Sequence, residues 1–268
     1  MSTFIVGRSS HKETEFIAAF QAAKPGDTLQ LMPGNYFKKA DLQYFNINQN
    51  INITGLGQNK EEVVLNCNLN IGNQAVVLLK NLTIHFSNLA DNAVAIYDQA
   101  RLYGQAITIH RDSLDNWDAV YCQNSGISLT DSQIKTSTKT RAVGLSLENS
   151  QFYAENTMID WLFQKNSQAY LKHATIKQLL SLRHHSQTYF SDLIIDSGSR
   201  MNIALKSYSS LTGIKLQFTT PKPQINIFES QLTVKDTSPK VDDIIFKFDA
   251  ASKVHVSGRI PKNHLFRK

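Results

Sequence analysis

The chain has 268 residues, 41% hydrophobic and 19% charged, with a formal net charge of +6. That content of apolar residues supports a large packed core and excludes a disordered tail. The two cysteines, Cys67 and Cys122, cannot form a disulfide framework, and their spacing fits no zinc site. The basic charge is spread along the chain without a Lys/Arg run, so it reads as a solvated surface and gives no nucleic-acid signature.

In chain order, Met1 to Gly7 is too short and polar for a secretory signal, and no apolar run reaches the roughly 20 residues of a membrane span. The default expectation is therefore a cytoplasmic protein with no membrane and no nucleic-acid partner. Ser10-His-Lys-Glu13 has the form of a capping box. After it, Phe16, Ile17, Phe20 and Ala23 fall on one helical face. Pro25-Gly-Asp27 ends the helix, Leu29-Gln-Leu31 opens the first strand, and Pro33-Gly-Asn-Tyr36 turns a corner.

A ten-residue pattern then recurs: a small or polar residue first, apolar residues third and fifth, a large aliphatic tenth. Clear copies run Ala75 to Ile84, Ala100 to Ile109, Ser125 to Ile134, Ser150 to Ile159, Ser167 to Ile176 and Ser186 to Ile195. Looser copies run Ser209 to Phe218, Pro223 to Leu232 and Ala251 to Ile260. Steps of 25, 25, 25, 17 and 19 residues separate the clear copies. Such steps, with period-two alternation inside them, describe turns of a β-solenoid. Each turn reads as three strands. The first precedes the decamer, as in Ala93 to Ile96, Ala119 to Cys122, Ala142 to Leu145, Trp161 to Phe163, Leu179 to Leu182 and Asn202 to Leu205. Ile84, Ile109, Ile134, Ile159, Ile176 and Ile195 are expected to stack inward. Gln74, Gln99, Asn124, Asn149 and Asn166 stand before decamers, and Asn81, Asp131, Asn156 and Asp192 occupy seventh positions. These residue types suit corners that need left-handed backbone. The expectation is an all-β fold: a right-handed parallel β-helix, a three-strand solenoid with an N-terminal capping helix. It forms a single domain over 1–268, with cap helix and first strand at 10–36, turns at 37–235, and last turn and tail at 236–268.

The stretch from Phe16 to Tyr36, with Lys24-Pro-Gly-Asp-Thr-Leu-Gln-Leu31 and Pro33-Gly-Asn-Tyr36 at its end, resembles the N-terminal cap of the pectin-lyase-like superfamily. Ile51-Asn-Ile-Thr-Gly-Leu-Gly57 followed by Val63-Val-Leu65 is similar to that family's second segment. The resemblance implies the β-helix fold. It does not imply one activity, because the superfamily holds lyases, hydrolases, tailspikes and proteins without known activity. Polygalacturonase-like members carry N-T-D-G, D-D-C and G-H-G before successive first strands. Here Asn92 takes the place of the first motif's Asp, Trp117-Asp118 that of the Asp pair, and Arg141 that of the His. Neither the lyase motif W-x-D-H nor R-x-P-x-x-R is found.

Two function classes follow. The first is a non-catalytic binding or scaffold module that presents flat strand faces to a protein or polysaccharide partner. Its candidate ligand-binding residues are Tyr103, Gln151, Tyr153, Gln168, Tyr170, Gln187 and Tyr189, which recur at outward decamer positions, together with His110 and Arg111. The second is a polysaccharide lyase or glycoside hydrolase acting on an acidic, uronic-acid polymer. Its catalytic candidates are Asp91, Asp115, Asp118 and Arg141, in loops 85–92, 110–118 and 135–141 that leave one corner of adjacent turns, where carboxylate pairs do acid–base work. No cofactor is expected for the binding module, and calcium only for a lyase. No metal site is expected: His85 and His110 share a column without a third ligand and read as solvated, and His184-His185 reads as a turn. Asp112 joins the acidic loop, no Ser stands in a nucleophile motif, and no glycine-rich phosphate loop occurs.

Overall fold

The computed structural model describes residues 1–38, 43–87, 91–112, 115–137, 142–198 and 201–257. It is a parallel β-solenoid. Met1–Leu145 and Ser146–Lys268 form two compact units. No helix among the described residues is long and apolar enough to cross a membrane.

In the Met1–Leu145 unit, turns stack in register. Leu29 pairs with Ile53, Ile53 with Leu79, Leu79 with Gly104, and Gly104 with Leu129. The apolar side chains of this file are buried completely. A third-strand file runs Tyr36, Leu65, Ile84, Ile109 and Ile134, again with no exposure. Gly104 is where the file narrows: a Cβ there would meet Ile107 Cδ1 at 2.5 Å and Leu129 Cδ2 at 2.6 Å. In the Ser146–Lys268 unit, Ile159, Ile176, Ile195 and Phe218 form the corresponding file.

The corners take the expected conformation. Gln74, Gln99, Asn124, Asn149 and Asn166 have φ of 59°, 62°, 49°, 50° and 48°; Asn81, Asp131, Asn156 and Asp192 have 51°, 52°, 49° and 61°. In the second unit the decamer's leading serines also clip turns together. The amide of Ser150 donates to Ser167 Oγ at 3.1 Å, Ser167 to Ser186 at 3.3 Å, Ser209 to Ser230 at 3.2 Å and Ser230 to Ser252 at 3.4 Å.

Several expectations are corrected. Thr3–Val6 is a strand, paired with Thr28–Leu31, so the sheet begins before the helix. Helix α1 (Lys12–Ala22) has His11 as N-cap with no side-chain cap bond. Instead of a Ser10–Glu13 box, the Glu15 carboxylate accepts from the amides of Gly7 at 2.6 Å, Arg8 at 3.2 Å and Ser9 at 3.1 Å, and from the Ser9 hydroxyl. These bonds, the hydroxyl's first, hold that carboxyl below its usual range. The first strand expected at Ala142 to Leu145 lies at Leu145–Glu148. Gln224–Phe228 is a first strand, paired with Met201–Lys206, and the decamer of that turn starts at Ser230. In the last turn Lys253 pairs with Gln231, so the decamer starts at Ser252. Its tenth position, like Ile260, lies outside the described residues.

Candidate functional site

Two places in the Met1–Leu145 unit and one face of the Ser146–Lys268 unit gather the candidates. The first place is a recess of about 390 Å³ lined by Asn92, Tyr97, Asp115, Asn116, Trp117, Asp118 and Tyr121. Tyr97 follows the strand Val94–Ile96, and Tyr121 stands outward in Val120–Gln123, opposite Ala95. Their rings lie 5.8 Å apart at 54°. Burial, then the nearby Asp91 carboxylate, pushes the Tyr97 hydroxyl above its usual pKa. Trp117 is 48% exposed, and its backbone amide donates to Asp115 Oδ1 at 3.2 Å.

Arg111 is tied to this recess through Asp115. It is 1% exposed; its Nε donates to the Asp91 carbonyl at 2.6 Å and its Nη1 meets Asp115 Oδ1 at 2.5 Å. The residue expected to bind a ligand from solvent therefore braces the loop instead. Its long aliphatic stem is buried, and the planar head forks between a carbonyl and a carboxylate. Asp91 Oδ1 accepts the next residue's amide, from Asn92, at 2.8 Å. The structure brings Asp115 and Asp118 into one recess and sets Asp91 near Tyr97. Arg141, with 88–90, 113–114 and 138–140 of the three loops, lies outside the described residues.

His110 lines the second place, a groove shared with His85, Asn66 and Asp112. The column was expected to be solvated, yet His85 is 7% exposed, because it packs between Asn66 and the His110 ring, with ring centroids 5.1 Å apart.

The face of the second unit carries the Gln/Tyr strip in register. Gln151 pairs with Gln168 and Gln168 with Gln187; Tyr153 pairs with Tyr170 and Tyr170 with Tyr189. The tyrosines are 39–46% exposed. Tyr170 and Tyr189 stack at 5.3 Å and 17°. Their inner faces therefore cover each other, and edges and hydroxyls point out. Tyr153 donates to Glu155 Oε2 at 2.9 Å, and Tyr189 to Gln187 Oε1 at 3.3 Å. Tyr103 is similarly exposed in the first unit, between Leu78 and Ser128.

The sequence reading passed over Tyr97, Tyr121 and Asn92 as recess residues and read Trp117 only as a lost carboxylate. The available signal was parity: in Ala119 to Cys122 the apolar Val120 and Cys122 point in, which turns Tyr121 out. Among the described residues no group of three or more His, Cys, Asp or Glu could hold a metal ion. Complete burial pushes the Cys67 thiol up, away from reactivity.

No protein-family model and no curated protein matches the sequence. Among solved structures, a family PL6 alginate lyase is similar at 11% identity and TM-score 0.33, over 99% of this chain; the chain spans 40% of that protein's length. An alginate lyase from Paenibacillus is similar at 11% identity and TM-score 0.37, over 99% of both chains. A surface adhesin of Streptococcus pneumoniae is similar at 10% identity and TM-score 0.36, over 95% of this chain and 94% of that one. Likeness at this level does not bear on function. The solenoid fold that the superfamily resemblance implies stands on the register of the chain's own strands.

Proposed function

We propose that the chain is a non-catalytic glycan-binding module whose site is the recess of Tyr97, Trp117 and Tyr121. The observation that carries this reading is the half-exposed Trp117, set in a concave surface among two tilted tyrosines, two amides and Asp118. A large ring left open in a recess is the part of a site that stacks on apolar C–H surface. Asn92 and Asn116 supply both donors and acceptors for hydroxyls. Acid–base cleavage needs two carboxylates set for proton transfer. Here one Asp115 oxygen is committed to Arg111 and one Asp91 oxygen to the Asn92 amide, which favours binding over turnover. Stacking and amide bonds use no metal, so binding is expected to be unchanged by EDTA.

The test is a glycan array that includes uronic-acid polymers, paired with assays for reducing ends and unsaturated products. Binding without product supports the proposal. Product formation that disappears in Asp118→Asn refutes it in favour of a polysaccharide-active enzyme.

The strip of the second unit favours a second binding role, toward a protein. Stacked rings that offer edges and hydroxyls beside amides resemble the rigid, amphipathic surfaces that contact proteins. Cross-linking through a photoreactive residue placed at Gln168 tests it, and absence of any protein adduct in the source cells counts against it.

A further inference from the structure

The excess charge of the chain sits in one unit. Residues 146–268 hold 16 Lys and Arg against 10 Asp and Glu, and residues 1–145 hold 12 of each, so the formal +6 belongs to the Ser146–Lys268 unit. Within that unit Lys165 pairs with Arg183 on adjacent first strands, and the next turn carries Lys206, one residue after Leu205, the partner of Leu182. The three cations therefore form one outward file on strands about 4.8 Å apart. Lys165 is paired with Glu148 Oε1 at 2.5 Å. Arg183 and Lys206 are exposed and, among the described residues, make no ion pair. Instead each lies over a ring, the Arg183 guanidinium over Phe163 at 5.3 Å and the Lys206 ammonium over Phe228 at 6.0 Å. Such a contact fixes the position of the head and leaves its charge and its N–H groups for a partner.

The corner that follows these strands projects rings. His184, His185, Ser207 and Tyr208 have φ of 50°, 62°, 55° and 62°. The same paired left-handed corner is filled by Asn73-Gln74 and Asp98-Gln99 in the first unit. An imidazole and a phenol are uncommon occupants of that backbone, and strain of this kind persists where the side chain it projects is used. His185 and Tyr208 stack at 5.4 Å and 13°, and Tyr208 is 65% exposed. Bases and sugar rings bind by lying on open ring faces. Here Phe163 and Phe228 lie under cations, and His185 and Tyr208 each cover a face of the other. Arg and Tyr are the residue types enriched where proteins bind proteins, and cations without a counter-charge are complemented by carboxylates. We propose that this corner anchors an acidic segment of a protein partner, with its carboxylates on Arg183 and Lys206 and its side chains packed against Tyr208. The corner adjoins the Gln/Tyr strip but shares no residue with it, so the two surfaces are tested apart.

Binding of the whole chain to an array of short random-sequence peptides tests it, with oligo(dT) and oligogalacturonate spotted beside them. The retained peptides are expected to be enriched in Asp and Glu and to be released as salt is raised. Arg183→Glu is expected to weaken the best of them at least about tenfold, Tyr208→Ala by a similar factor, and Trp117→Ala to leave them unchanged. If Arg183→Glu does not fold, Lys206→Glu decides. Acidic peptides lost in Arg183→Glu but held by Tyr170→Ala uphold the corner and count against the strip. Peptides lost in Tyr170→Ala and indifferent to Arg183→Glu overturn the corner and leave the strip. The proposal is also overturned if no peptide is retained, if the retained ones carry no excess of Asp and Glu, or if oligo(dT) or oligogalacturonate is held more tightly than every peptide.

Discussion

Replacing Trp117 by Ala tests the recess most directly, and its effect follows from exposure. A buried aromatic ring removes about 150–250 Å² from water. With Trp117 48% exposed, about half of that area, ~100 Å², remains open for a ligand to cover. At ~25 cal/mol per Å² the ceiling on its contribution is ~2.5 kcal/mol. A sugar covers one face, and ordering it costs free energy, so about half the ceiling is expected to appear as affinity. That corresponds to binding weaker by about tenfold, and at most about a hundredfold. The already buried half of the ring costs ~1–2 kcal/mol of folding stability when removed, small against the 5–15 kcal/mol of an ordinary domain. Calorimetric titration with the array-selected glycan measures the first quantity and urea unfolding the second. A dissociation constant within twofold of wild type, in a variant that still folds, would refute the role of this ring.

Three further predictions concern the scaffold. Inside the second unit, Gln164 Nε2 donates to Thr188 Oγ1 at 2.8 Å, both side chains are buried, and Gln164 Oε1 has no partner. Thr188→Val is expected to cost about 1–2 kcal/mol, because it leaves a buried amide unpaired, whereas Gln164→Leu with Thr188→Val removes every polar atom and recovers that loss; additive urea midpoints would contradict this. Arg111→Met should cost about 3 kcal/mol and abolish recess binding, since it removes the cation beside Asp115 and releases the Asp91 carbonyl; unchanged stability and affinity would show that the loop is held by other means. Glu15 has a depressed carboxyl pKa, so its contribution is present above the unfolded carboxyl value and lost as pH falls through the folded one. Glu15→Gln is therefore expected to lower the melting temperature at pH 7 and to converge with wild type as pH falls through the folded value, and a difference that stays constant from pH 7 into the acid range would argue against the assignment.

What the sequence revealed and what it hid follow from the same period-two alternation. Ile84, Ile109 and Ile134 could be aligned because each closes a decamer opened by a small residue, and the corner amides mark the same register through the left-handed backbone they tolerate. Ile225 and Ile227 misled because Ile-x-Ile reads alike in a first or a second strand; the serines separate the two. Ser230 and Ser252 continue the ladder of Oγ acceptors, and no hydroxyl precedes Gln224 to do so. A pattern of side-chain hydrogen bonds thus carries register where hydrophobic periodicity cannot. The site was less legible for a different reason. Arg111 keeps the inward parity of Ile109 and pairs with the buried Phe86, so its burial follows from alternation although its charge hides it, whereas His85 stands at an outward position and is buried because Asn66 and His110 pack beside it. Whether an outward side chain meets water is decided by residues distant in sequence, as Asn66 decides it for His85. The recess likewise gathers Asn92, Tyr97 and Asp115 to Tyr121 from two adjacent turns, which is why the proposed glycan chemistry is placed there.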